Sequence, residues 1–140
     1  MPKIDPEVIE AKLTEYTNAL DRFEEALSLP KDHTLSYLDT SAHRFMLCFE
    51  VTWKNLRRIL RLRGIQTNSP VSTFREAYQE QLIDNKEIFK AMIEDRNLVT
   101  HEYFQIQAEE IYKKLPNYLQ VMRKTYQTIE NLYRNHAIEL

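Results

Sequence analysis

The chain has 140 residues, of which 43% are hydrophobic and 29% charged, with one glycine, one cysteine and a formal net charge of −2. That length fits a single domain over residues 1–140 with one core, and so little glycine excludes turn-rich β architectures and glycine-built phosphate loops. A lone thiol excludes an internal disulfide, and the net negative charge means that any nucleic-acid affinity must come from a local basic patch.

The opening stretch MPKIDPEVIEAKL lacks the apolar core of a signal peptide. The longest purely apolar run, Phe45–Phe49, is far too short to span a membrane. With Cys48 as the only thiol, a cytoplasmic location without membrane contact is expected.

Asp5-Pro6 predicts a helix start, with Asp5 as N-cap and Pro6 in the first turn. Ile9, Leu13, Tyr16, Leu20, Phe23 and Leu27 then recur at helical spacing, and Leu29-Pro30 closes the stretch. Residues 30–38 read as a loop. The second helix is expected from about Asp39–Ser41 to Arg63, with Ala42, Phe45, Phe49, Trp53, Leu56 and Leu60 as its stripe and Gly64 just past its end. Leu47, Val51, Ile59 and Leu62 widen that apolar surface, which predicts a central helix touching several neighbours. Cys48 beside the stripe reads as an inert buried thiol.

Ser69-Pro70 opens a shorter third helix carrying Val71, Phe74 and Tyr78. After a turn at Leu82–Asn85, Ile88, Phe89, Met92 and Ile93 mark a fourth. The last is expected from about Ala108 to Arg134, with Ile111, Leu115, Tyr118, Met122, Tyr126, Ile129 and Tyr133 in period, bent or divided at Pro116. The sum is an all-α, antiparallel up-and-down bundle of four to five helices.

The stretch with the most chemistry is EDRNLVTHEYF, Glu94–Phe104, where Arg96, His101 and Tyr103 form R-x4-H-x-Y. A guanidinium can hold a phosphate in a fork, and an imidazole can move a proton near neutral pH. Those two groups suffice for RNA cleavage by the RNA's own 2′-hydroxyl, without a metal or other cofactor. In an unbroken helix Arg96 and His101 would lie about 140° apart, so a joint site requires the helix to end between Leu98 and His101.

This motif in a small helical chain resembles the HEPN family, in particular the HepT-type proteins also known as nucleotidyltransferase substrate-binding subunits. Further stretches carry the likeness: Arg44-Phe45 followed by Phe49-Glu50-Val51-Thr52-Trp53-Lys54, then Ser69-Pro70 with Phe74-Arg75-Glu76-Ala77-Tyr78, then Ala108-Glu109-Glu110-Ile111-Tyr112. They run in order across about residues 10 to 130. The resemblance implies a HEPN-type toxin paired with a minimal nucleotidyltransferase antitoxin, acting as a metal-independent endoribonuclease. His101 would be general base and Arg96 would stabilise the phosphate. Tyr103 would accept AMP from the nucleotidyltransferase and so silence the enzyme, and Asp95 and Asn97 would orient the arginine or the RNA. It also implies a homodimer whose two motifs face each other. The rival within the same resemblance is a non-catalytic subunit that presents substrate to that nucleotidyltransferase.

Three features admit a plainer reading. Tyr103 fits either a packing aromatic or a hydroxyl in the His101 cleft. Lys54, Arg57, Arg58, Arg61 and Arg63 crowd one helix end, either complementing its dipole or docking RNA or an acidic partner. Arg44 is too far from Glu50 along one helix to pair with it, which leaves the Arg96 region or a dimer partner.

Overall fold

The computed structural model describes residues 4–101 and 104–138. Its regular elements are five helices: α1 (Pro6–Ala26), α2 (Ser36–Leu62), α3 (Pro70–Gln79), α4 (Lys86–Val99) and α5 (Phe104–Ile138). Each of the four starts from α1 to α4 has a local cause. Asp5 accepts from the Glu7 N–H at 2.7 Å with Pro6 following it. Ser69 and Ser72 form a reciprocal capping box around Pro70. Asn85 accepts from the N–H groups of Glu87 and Ile88. At α2 the start comes earlier than the sequence predicts: Asp32 and Thr34 fold a polar turn, Leu35 takes a left-handed conformation (φ 60°), and the helix runs from Ser36.

The ends of α2 and α3 share one device. Past α2, Gly64 sits at φ 82°, its N–H bonded to the Arg61 carbonyl while the Ile65 N–H reaches Leu60. Past α3, Gln81 does the same at φ 63°, with Leu82 bonded back to Ala77. Both are Schellman caps, and the second is built on a residue that pays steric strain for it.

Helix α2 packs against all four other helices, as its wide apolar surface predicts. One hydrophobic cluster draws on every helix. Through it runs a file of aromatic rings: Tyr118 of α5 stacks on Phe45, Phe45 meets Phe49, Phe49 meets Phe74 of α3 edge-on, and Phe74 lies 4.8 Å from Phe89 of α4. Cys48 is fully buried in this core. On the short α3 only Phe74 of the three expected apolar residues is buried; Val71 and Tyr78 are 50% and 37% exposed.

Helix α5 departs from expectation. It is one element from Phe104 to Ile138 with Pro116 inside it, neither divided nor starting at Ala108. Pro116 faces solvent, while Leu115, Tyr118 and Leu119 around it are buried against the bundle. Burial of that stripe on both sides of the proline offsets the missing N–H bond. No helix among the described residues is long and apolar enough to cross a membrane.

Candidate functional site

Helix α4 ends where a joint arginine–histidine site needs it to end. Val99 is its last residue, Thr100 caps it, the Thr100 hydroxyl donates to the Asn97 carbonyl, and the His101 N–H donates to the Leu98 carbonyl at 3.0 Å. The ladder stops because the β-branched pair Val99-Thr100 is followed by a backbone that leaves the helix. His101 is exposed just past that end. Glu102 and Tyr103, the latter the expected AMP acceptor, lie outside the described residues.

Arg96 is held by two side chains of α2 and one of its own helix. Its Nε and Nη2 both donate to Glu50 Oε1, at 3.0 and 2.6 Å, and its guanidinium lies over the Phe49 ring, 5.2 Å from the centroid. Its own neighbour Asn97 accepts from Nη1 at 3.1 Å. Glu50 is itself held, because Trp53 Nε1 donates to Oε2 at 2.9 Å. The Phe49-Glu50-x-x-Trp53 pattern is therefore a seat for Arg96: a ring beneath it, a carboxylate at its edge, and an indole locking the carboxylate. Sequence reasoning treated Phe49 and Trp53 as core and gave Glu50 no partner. The i, i+3 spacing of Glu50 and Trp53 shows that they share a face, but nothing local says that Arg96 meets them.

The arginine keeps about a quarter of its side chain exposed. Of its five N–H groups, three are used by these bonds, which leaves one on each terminal nitrogen for an anion. A guanidinium held in this way has the chemistry to accept an anion in a fixed orientation.

Asp95 is a correction. Expected to orient Arg96 or RNA, it points the other way and is 3% exposed. It accepts a 2.6 Å bond from the Tyr118 hydroxyl and pairs with Lys114 at 2.9 Å, both on α5. Burial, then the bond to Asp95, push the Tyr118 phenol well above its ordinary range. The signal was present: 89, 92 and 95 step along one face, and Phe89 and Met92 are core. Arg44 likewise meets neither Arg96 nor Glu50; its Nη1 donates to the Arg22 carbonyl at 2.8 Å, tying α2 to α1.

The basic end of α2 is split. Arg63 turns to Glu80, donating to its carboxylate at 3.2 Å. Arg57 stacks over Trp53 at 4.9 Å, Lys54 lies 3.9 Å from Glu50, and Arg61 is exposed. Lys54 and Arg57 thus adjoin the residues that hold Arg96.

The family model described as nucleotidyltransferase substrate binding protein like matches residues 11–131. The chain belongs to that family. Its fold is similar to a crystal structure of a protein from Thermus thermophilus, with a TM-score of 0.74 and 28% identity over 81% of this chain and 98% of that one. No curated protein matches. Within this family the matched span takes in Glu50, Trp53, Arg96 and His101, so the arginine seat lies inside the family's own domain.

Proposed function

We propose that this chain is the helical partner of a separate nucleotidyltransferase and is itself a HEPN-type toxin, a metal-independent endoribonuclease working as a cytoplasmic homodimer. His101 takes the proton of an RNA 2′-hydroxyl, and the 2′ oxygen attacks the adjacent phosphorus. Arg96 stabilises the charge that develops on the phosphoryl oxygens. The bond to the 5′ oxygen breaks, that oxygen leaves with a proton, and the products are a 2′,3′-cyclic phosphate and a 5′-hydroxyl. Asn97, bonded to Nη1, helps fix the guanidinium plane.

One observation supports this reading above the others: two α2 side chains, Glu50 and Phe49, hold Arg96, with Trp53 locking Glu50, while the arginine stays partly exposed. A purely structural arginine needs no seat that keeps two donors for an outside anion. By the resemblance, AMP joined to the Tyr103 hydroxyl by the nucleotidyltransferase antitoxin adds bulk and negative charge two residues from His101, which silences the enzyme.

The second reading, a non-catalytic substrate-binding subunit of that nucleotidyltransferase, is favoured by the same ion pair. Glu50 already neutralises much of the charge an RNA phosphate would meet. Total cellular RNA incubated in EDTA separates the two. Cleavage by the wild type, lost in Arg96→Ala and His101→Ala variants of unchanged melting temperature and leaving cyclic-phosphate ends, supports the ribonuclease. Absence of cleavage, or equal cleavage by all three, supports the binding subunit.

A further inference from the structure

A second cluster of cations lies on the other side of Glu50. Between α1 and α2 opens a polar pocket of about 300 Å³ lined by Lys12, Glu15, Glu50, Lys54, Arg57 and Arg58. Val51 and Asn55 complete the lining, so four of its eight side chains are cationic, in a chain whose net charge is −2. Elsewhere on the surface Arg63, Lys114, Arg123, Lys124 and Arg134 each hold a carboxylate in an ion pair. Lys12, Arg57 and Arg58 form no ion pair among the described residues; Lys12 is half-buried, Arg57 is held over the Trp53 ring and Arg58 hydrogen-bonds the buried Tyr133 hydroxyl.

The two acids in the lining do not balance these charges. Glu50 is committed to Arg96 through one oxygen and to Trp53 through the other, with Lys54 only at 3.9 Å. That leaves Glu15 facing the cluster. Like charges brought together at a half-buried place raise each other's energy unless an anion joins them. The dipole of α1 does not account for the gathering, because Lys12 comes from the second turn of that helix, towards the end that disfavours a cation.

Size and position narrow the anion. A pocket of this volume is at the small end for ligands, suited to a phosphate with part of its nucleotide. It shares Glu50 with the Arg96 seat, which sets this cluster beside the place where a reacting phosphate would lie. We propose that the Lys12–Arg57–Arg58 pocket, with Lys54 at its rim, is a second phosphate subsite that holds a phosphodiester of single-stranded RNA flanking the one at Arg96. Arg61, one turn further along α2 and exposed, extends the same track.

The inference rests on the RNA-cleavage reading for its choice of ligand, and its test does not require cleavage. The full-length protein is titrated against a fluorescein-labelled 2′-O-methyl oligonucleotide, which has no free 2′-hydroxyl, and anisotropy is followed at several salt concentrations. Lys12→Gln and Arg57→Gln each weaken binding roughly three- to tenfold and reduce the slope of log K against log salt by about 0.7. Lys12→Arg restores both. Lys124→Gln, which removes a charge paired with Asp84 at an exposed site, leaves the slope unchanged. Thermal melts confirm that each variant is folded. Wild-type slopes in both glutamine variants, or no binding by the wild type at low salt, overturn the subsite. If the variants lose affinity as stated while the wild type cleaves no RNA, the subsite stands and the ribonuclease reading falls.

Discussion

Glu50 and Arg96 are 46 positions apart, and one oxygen of the glutamate accepts from two nitrogens of the arginine, at 3.0 and 2.6 Å. Each side chain is about a quarter exposed, so the pair is neither a screened surface contact nor a sealed core ion pair. Its position ties the middle of α2 to the last turn of α4. The rigidity of the bundle is thereby passed to the residue that would meet substrate.

Glu50→Gln tests whether that tie serves chemistry. Loss of the charge-assisted bonds costs about 1–2 kcal/mol of stability, small enough to leave the fold intact. On the ribonuclease reading kcat/KM falls about tenfold or more, because a misaligned guanidinium no longer meets the developing charge. Urea denaturation followed by Trp53 emission gives the first quantity, and cleavage of a labelled RNA gives the second. Undiminished cleavage by a folded variant would mean that Glu50 has no positioning role.

Asp95→Asn should act on stability first. The carboxylate is buried and satisfied by Tyr118 and Lys114, and the amide leaves the lysine without its counter-charge. A loss of about 2–3 kcal/mol is expected by chemical denaturation. Combining it with Tyr118→Phe should cost less than the sum of the two single changes, by about 1 kcal/mol, since one weakens and the other removes the same hydrogen bond. Strict additivity would contradict the geometry.

Alkaline pH should unfold the protein in a defined order. Burial pushes the Cys48 thiol up to about 12, the field of Arg123 and the bond to Thr52 opposing it only in part. Burial also lifts the Tyr16 and Tyr133 phenols well above their ordinary range. Above the unfolded-state value of each group, the unfolded chain has lost a proton that the native chain still holds. Stability therefore falls as pH rises, by up to about 1.4 kcal/mol per pH unit per group, beginning near the ordinary thiol range and steepening near the phenol range. Cys48→Ala should remove the first part of that slope and leave the second. Urea midpoints at intervals from pH 7 to 11 measure both.

Gln81→Gly should stabilise. Gln81 occupies the left-handed position of a Schellman cap at φ 63°, where Gly64 does the same work without a Cβ. Relief of that strain is worth about 1 kcal/mol, partly offset by the greater freedom of glycine in the unfolded chain. A rise in the thermal midpoint is expected, and a fall would show that the Gln81 side chain contributes more than its backbone costs.

Much of the fold could be read from neighbouring residues. Asp5-Pro6, Ser69-Pro70 and Asn85 cap helices through atoms two or three positions away, and apolar periodicity drew the buried face of α1 from Ile9 to Phe23. The end of α4 at Val99 falls within the span, Leu98 to His101, that a joint arginine–histidine site would require, although no local signal as strong as a cap marked it. Of the two outcomes expected at Pro116, division does not occur, because the rule against interior prolines is local whereas the packing that keeps α5 whole is not.

The order of residues sufficed for the set of helices, most of their apolar faces (Val71 and Tyr78 of α3 and Leu47 of α2 are exposed instead) and the family whose model they match. Which distant side chains meet was settled in three dimensions: Glu50 with Arg96, Asp95 with Tyr118, and Lys12 with the basic end of α2. The reason is physical. Caps and periodicity are set by bonds spanning a few residues, while the pairing of charges across helices depends on the rotation and register of whole elements, which only the packing of the complete core fixes.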